Sequence, residues 1–293
     1  SCLLREVWAA AGNEPLLPPS PLAELDAVIH ELLGAAGRGD LESGENDRIE
    51  RVWLNLVSLA EKRMMLSVLR RHQVPLCHSI PDYEVRKLRA CHTATGIAQE
   101  AFRGHGGGAR QSLQHAGFEL WVESRDGQVG GYIDRVTMTA DGVVLSDYKS
   151  GTVLISGKGE EQGVPKRAYK EQLMLYAALY QIKSGIWPNR LEVVPLQGAP
   201  VVVAYDPREA QRLIAEAGTF LRDANRRIAE VEGGRGNVIG LASPCAETCR
   251  LCLYRPACHA YWLSRKQSSQ AKWPEDVEGA ISERTRQRNG KVC

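Results

Sequence analysis

The sequence lacks the marks of a membrane or secreted chain. No run approaches the roughly 20 consecutive apolar residues of a membrane span. No charged, apolar, small-residue leader opens it. It starts Ser1-Cys2-Leu3 without Met, so a trimmed or partial chain is expected. A strong charge of one sign is also missing. Its 37 basic residues face 35 acidic ones, net +2, so the global basic excess of many nucleic-acid binders is absent. Eight cysteines in 293 residues are too few for a disulfide scaffold. With nothing pointing to export, metal-bound or free thiols in a cytoplasmic protein are the expectation. No internal repeat recurs at a fixed period. What remains is an ordinary globular composition, 43% apolar and 25% charged. The length suits one large domain or two ordinary ones, with core enough to stand without staples.

The small net charge hides blocks. Residues 14–47 carry eight acids and one base, residues 48–110 eleven bases and five acids, and residues 250–291 nine bases and four acids. Such segregation can make a basic surface on a nearly neutral protein, or simply solvated helix faces. Residues 21–34 read as a helix from Leu22, Leu25, Ile29 and Leu32, started by Ser20-Pro21 and stopped by Gly34. Helices are also expected over about 48–71 and 82–103, followed by a flexible break at 104–112. The period then changes. Residues 117–123, 129–138 and 142–149 are strand-like, separated by Asp126-Gly127 and Asp141-Gly142, and read as an antiparallel meander. A helix over about 165–184, strands at 191–196 and 200–205, and a helix from Asp206-Pro207 to about 231 complete the pattern.

The meander carries the chemistry. Asp147 and Lys149 are two apart, so in a strand both side chains project from one face. If the hairpin pairs as drawn, Asp134 approaches Asp147 across the neighbouring strand. Two adjacent carboxylates are costly unless a cation joins them. Oxygen-rich sites suit Mg²⁺ or Mn²⁺. A nearby lysine can orient water or stabilise charge on a phosphate, and the set suits phosphodiester hydrolysis. An incidental surface Asp–Lys pair is the plainer alternative.

The run GYIDRV, a turn, then VLSDYKSG resembles motifs II and III of the RecB-like PD-(D/E)XK nucleases. Gln172-Leu-Met-Leu-Tyr176 resembles the QxxxY helix that follows the lysine motif, and its spacing puts Gln172 and Tyr176 on one helical face. His30 resembles the motif I histidine, a metal ligand in that family. Asp26, four residues earlier, is placed to pair with it, and Gly96-Ile-Ala-Gln-Glu100 is a rival for motif I. The resemblance implies a restriction-endonuclease-like α/β core, a mixed sheet flanked by helices. It implies that His30, Asp134, Asp147 and the Tyr148 carbonyl hold Mg²⁺ or Mn²⁺, that Lys149 acts on water, and that Gln172 and Tyr176 shape the site.

Cys249-x2-Cys252-x5-Cys258 is a metal-site spacing that suits zinc or an iron–sulfur cluster. It resembles AddB-type and CRISPR-associated members of the family, in which one cysteine before motif I and three near the end bind a 4Fe–4S cluster. That implies Cys2 as the fourth ligand. A local Cys245, Cys249, Cys252 and Cys258 site holding Zn²⁺ is the alternative. The expected organisation is a nuclease domain over 1–265, with a helical insertion at 35–112 and the cysteine cluster at 245–258. A basic linker at 266–293 would carry the start of a β domain, hinted by Val277, Ala280, Ile281 and Asn289-Gly290. The function implied is a metal-dependent DNA exonuclease on single strands or duplex ends, in repair, recombination or defence. It leaves room for a helicase or another repair protein as partner. The alternatives are a non-catalytic nucleic-acid-binding module on the same fold and a zinc-ribbon interaction protein.

Overall fold

The computed structural model describes residues 2–41, 46–105, 117–155, 164–268 and 272–280. In chain order the helices are α1 (Leu3–Ala10), α2 (Pro21–Gly37), α3 (Asn46–Met65), α4 (Leu76–Ser79) and α5 (Tyr83–His105). Five strands follow: β1 (Gly117–Glu123), β2 (Gly130–Thr139), β3 (Gly142–Lys149), β4 (Leu154–Ile155) and β5 (Val164–Pro165). Then come α6 (Arg167–Ser184), β6 (Arg190–Pro195), β7 (Val201–Val203), α7 (Pro207–Glu232), α8 (Ala246–Arg250) and α9 (His259–Gln267). The chain divides into two compact units, Pro19–Arg226 and a second made of Ser1–Pro18 with Arg227–Cys293. The span expected as one domain, 1–265, draws on both.

The larger unit is built on a five-stranded sheet of order β1-β2-β3-β6-β7. Neighbours are antiparallel except β3 and β6, which run parallel. A parallel neighbour needs a crossover, and α6 supplies it. The period of two along β3 sorts its side chains. Val143 and Leu145 join Ile133, Leu191 and Val193 in the core under α6, while Tyr148 joins the core of α2, α3 and α5. The sheet is thus covered on both faces, as expected of a mixed sheet flanked by helices. The helices expected within 35–112 are present. Trp53 of α3 is fully buried and donates from Nε1 to the Tyr83 hydroxyl at 3.1 Å.

Three boundaries differ from expectation. α2 starts where Ser20 accepts from the Leu22 N–H, but it runs past Gly34 to Gly37. Packing overrides the glycine signal. The missing Cβ of Gly37 leaves room for the Phe118 ring, which a Cβ would meet at 2.1 Å. α3 stops at Met65 rather than near 71, because Arg70 turns back to an ion pair with Glu24 of α2. The strand expected at 200–205 is only the three residues of β7. The break expected at 104–112 lies mostly outside the described residues, α5 continuing to His105.

In the smaller unit the N-terminal residues meet the segment from 241 to 261. Cys2 and Leu4 pack with Leu241, Cys249, Cys258, Ala260 and Tyr261. The N–H groups of Leu16 and Leu17 both donate to the Leu253 carbonyl at 3.1 Å, and the Tyr254 hydroxyl donates to the Asn13 carbonyl at 3.0 Å. Residues 272–280 form no strand. Instead Asp276 is clamped. Arg255 donates to it from Nε at 2.6 Å and Nη2 at 3.1 Å, and the Tyr261 hydroxyl donates at 2.9 Å. The further strand signal at Ile281 and Asn289-Gly290 lies outside the described residues.

The clamp has a pH signature. Hydrogen bonds from Arg255 hold the Asp276 carboxyl below its ordinary range. A depressed acid contributes stability above its unfolded value, lost as pH falls through the folded one. We expect Asp276→Asn to cost about 1–2 kcal/mol at neutral pH. The gap to wild type should close as pH is lowered below about 4. Urea midpoints from pH 7 to pH 3 measure it, and a gap that stays constant would remove the charge from the explanation.

Candidate active site

Asp134 sits where the sheet loses its regular pairing. The β2–β3 ladder ends at Arg135 opposite Ser146, and the β1–β2 ladder skips the position opposite Asp134, where Glu119 adopts a positive φ of 52°. The strands part there. The Tyr148 N–H, beyond the paired residues, donates to Asp134 Oδ2 at 2.7 Å. His30, carried on α2, places Nδ1 3.7 Å from the same oxygen. That is too long for a direct hydrogen bond and suits a shared cation. The rival Glu100 goes elsewhere, pairing with Arg135 at 2.6 Å.

Asp147 continues the face of Val143 and Leu145, and is buried with them. Lys149 Nζ lies 2.7 Å from Asp147 Oδ2, an ion-pair distance. Apart from that ion pair, this buried oxygen meets no donor among the described residues. A buried carboxylate with one cationic partner keeps further lone pairs that a cation can take. The electrostatics agree. Burial first, and the charge of Asp147 next, push the Asp134 carboxyl up to about 6. Burial likewise raises Asp147, against the pull of Lys149. Both carboxylates are raised chiefly by burial, a cost that a divalent cation would offset.

Helix α6 supports the lysine. Lys149 donates from Nζ to Gln172 Oε1 at 3.2 Å, and Gln172 Nε2 donates to the Tyr176 hydroxyl at 3.2 Å. The four-residue spacing stacks the last two on one helical face. Tyr176 reaches β2 because Gly131 has no side chain. A Cβ there would stand 2.9 Å from the ring. The Lys149 ammonium also lies 5.1 Å from the Tyr169 ring centre, a cation–π contact. The structure therefore brings His30, Asp134, Asp147, Lys149, Gln172 and Tyr176 together. Tyr148 contributes its N–H, while its ring is buried and its hydroxyl accepts from Arg135 Nη1 at 3.5 Å.

Two supporting residues escaped the motif pattern. Asp26 does not pair with His30. It hydrogen-bonds the Ser150 hydroxyl, tying α2 to the residue after Lys149. Ser146 donates to Glu192 Oε1 at 2.7 Å and so locks β3 to β6. The one-turn spacing of Asp26 and His30 was a signal for proximity, but only the loop path after β3 shows which partner wins.

In the smaller unit Cys2, Cys249, Cys252 and Cys258 are all buried, whereas Cys245 is exposed. Burial and neighbouring thiols raise Cys249 to about 11, and Cys258 is raised with Cys2 and Cys252 close to it. Cys2 Sγ accepts from the Ser243 N–H at 3.4 Å. Cys245 serves the backbone instead, its sulfur accepting from the Thr248 N–H at 3.5 Å and capping α8. As a donor set, four buried thiols fit a thiolate-ligated metal group. Among the described residues no three His, Cys, Asp or Glu side chains form a ready-made metal cage, at either site. No helix among them is long and apolar enough to cross a membrane.

No curated protein and no solved structure matches the chain. The sequence model of the PD-(D/E)XK nuclease superfamily, however, matches residues 17–259, which span the meander, the Gln172–Tyr176 helix and the three clustered cysteines. With Asp147-Tyr148-Lys149 as its (D/E)XK element and Ile133 in the place of the proline before Asp134, the chain belongs to the PD-(D/E)XK nuclease superfamily.

Proposed function

We propose that the protein is a metal-dependent deoxyribonuclease of the RecB-like group, an exonuclease acting on single-stranded DNA or DNA ends in repair, recombination or defence. The observation that carries the hydrolytic reading is the buried Asp147 carboxylate, ion-paired with Lys149 at 2.7 Å, beside a second carboxylate raised to about 6. Such a pair is unstable as a structural ornament and suited to a divalent site.

Asp134, Asp147 and His30 would hold Mg²⁺ or Mn²⁺, with the Tyr148 carbonyl as a further ligand. When bound, the ion supplies Lewis-acid polarisation of the phosphate and a water of lowered pKa. Lys149 presents its ammonium to the attacking water and the phosphate oxygens. Gln172 and Tyr176 limit the lysine's rotamers, so its charge is positioned before substrate arrives. Asp26 and Ser150 keep the following loop in register. In the smaller unit Cys2, Cys249, Cys252 and Cys258 would hold a 4Fe–4S cluster that fastens the N-terminal residues to the segment from 249 to 258. Their shared burial, against an exposed, capping Cys245, supports this set over a local zinc site.

The test is an anaerobic preparation incubated with end-labelled single- and double-stranded DNA and Mg²⁺ or Mn²⁺. Ladders or mononucleotides from one end, abolished by EDTA, are expected. Binding without metal-dependent cleavage of either substrate would leave a non-catalytic module on the same fold.

A further inference from the structure

A groove of about 460 Å³ opens at the carboxyl ends of the two parallel strands, β3 and β6. In open α/β sheets such crevices are where ligands sit. It begins at Ser150, the residue after Lys149. Its walls are the chain from Ser150 to Leu154, the loop from Pro195 to Ala199, and Arg86 and Arg89 of α5. No acidic side chain lines it, while Thr152 and Gln197 add polar groups. Arg86 is committed to the fold, donating to Asp82 Oδ2 at 2.8 Å and to the Ser150 carbonyl at 3.4 Å. Arg89 is exposed, and no hydrogen bond or ion pair within 4 Å occupies it among the described residues. The acidic charge it acts on, Asp82, is already held by Arg86.

We propose that this groove holds a backbone phosphate of the nucleic-acid strand next to the phosphate at Lys149, with Arg89 as its cation. The inference rests on the nuclease reading. A guanidinium matches two phosphate oxygens at once, and the exposed Arg89, whose influence on Asp82 is secondary to the direct Arg86 bond, lines a groove that begins one residue after Lys149. Thr152 and Gln197 can donate to the same phosphate or the adjoining sugar. The basic excess of residues 48–110 thereby acquires a local role, since Arg89 comes from that block. Placement beside Ser150 also links the two phosphates through the loop that Asp26 holds.

The experiment measures binding of the full-length protein to a fluorescein-labelled single-stranded oligonucleotide in EDTA, so that nothing is cleaved. Arg89→Ala should weaken binding about fivefold and lower the slope of log Kd against log salt by about 0.7, one single-strand phosphate contact. Arg89→Glu should weaken it further and Arg89→Lys should retain most of the affinity. Arg212→Ala, an exposed charge removed from α7 outside the groove, controls for net charge. Unchanged affinity and slope in Arg89→Ala, or an equal loss in Arg212→Ala, would overturn the proposal. Failure of the nuclease reading looks different: the Arg89 series behaves as expected, yet Mg²⁺ or Mn²⁺ produces no cleavage by the wild-type protein.

Discussion

Asp147→Ala and Lys149→Ala, each purified and assayed with Mg²⁺ or Mn²⁺, should lose at least about a hundredfold in cleavage rate, the scale of removing one preorganised charge from a transition state. The fold should survive. Asp147 is buried and raised, so its charged form costs stability at neutral pH. The sign follows from linkage. An acid raised in the folded state binds more protons there than when unfolded, so stability falls as pH rises through that window. Asp147→Asn therefore removes a cost, and its urea midpoint at neutral pH should match or exceed wild type while activity is lost. Lys149→Ala leaves Gln172 without its donor but keeps Gln172 bonded to Tyr176, so the α6 helix keeps its seat. Two outcomes would remove the assignment: cleavage at wild-type rates, or an activity loss matched in Asp147→Asn by a collapse of the midpoint.

Cys258→Ser, prepared without oxygen, should be colourless where wild type is brown with a broad band at about 400 nm, and it should lose several kcal/mol of stability. The reason is topological. The smaller unit is assembled from residues 1–18 and 227–293, so a cluster held by Cys2 and Cys258 would close a long loop. Cys2→Ser should act in the same way. Cys245→Ser is the discriminating variant. Its sulfur caps α8, and serine is a better cap than cysteine, so the fold and the colour should both persist. If Cys245→Ser loses the metal while Cys2→Ser keeps it, the ligand set is the local one. A colourless wild-type protein with stoichiometric zinc, prepared anaerobically, would replace the cluster by a zinc site.

The elements were legible wherever pattern and punctuation agreed. Asp126-Gly127 and Asp141-Gly142 bound β2 to within a residue of expectation, because a hairpin's register is set by its turns. Asp206-Pro207 starts α7 as its cap chemistry requires, the Arg208 N–H donating to Asp206 at 2.8 Å. The failures lie where a remote contact outweighs a local signal. Gly34 did not stop α2, and α3 ended early where Arg70 met Glu24. The one-turn spacing of Asp26 and His30 suggested a pair, yet Asp26 is spent on Ser150, distant in sequence and adjacent in the fold.

The site divides along the same line. Residue types two and four apart already placed Asp147 with Lys149 on one strand face and Gln172 with Tyr176 on one helix face, since those periods belong to the backbone itself. No local rule could say that β3 runs parallel to β6, that the β2 ladder breaks at Asp134, or that His30 rather than Glu100 would reach it. Nor could it show that Cys2 is buried with Cys249, Cys252 and Cys258 while Cys245 is exposed. Those choices belong to the folded chain. Pairing, burial and the desolvation that raises Asp134 are sums over residues far apart in sequence, and they acquire values only once the sheet is covered on both faces.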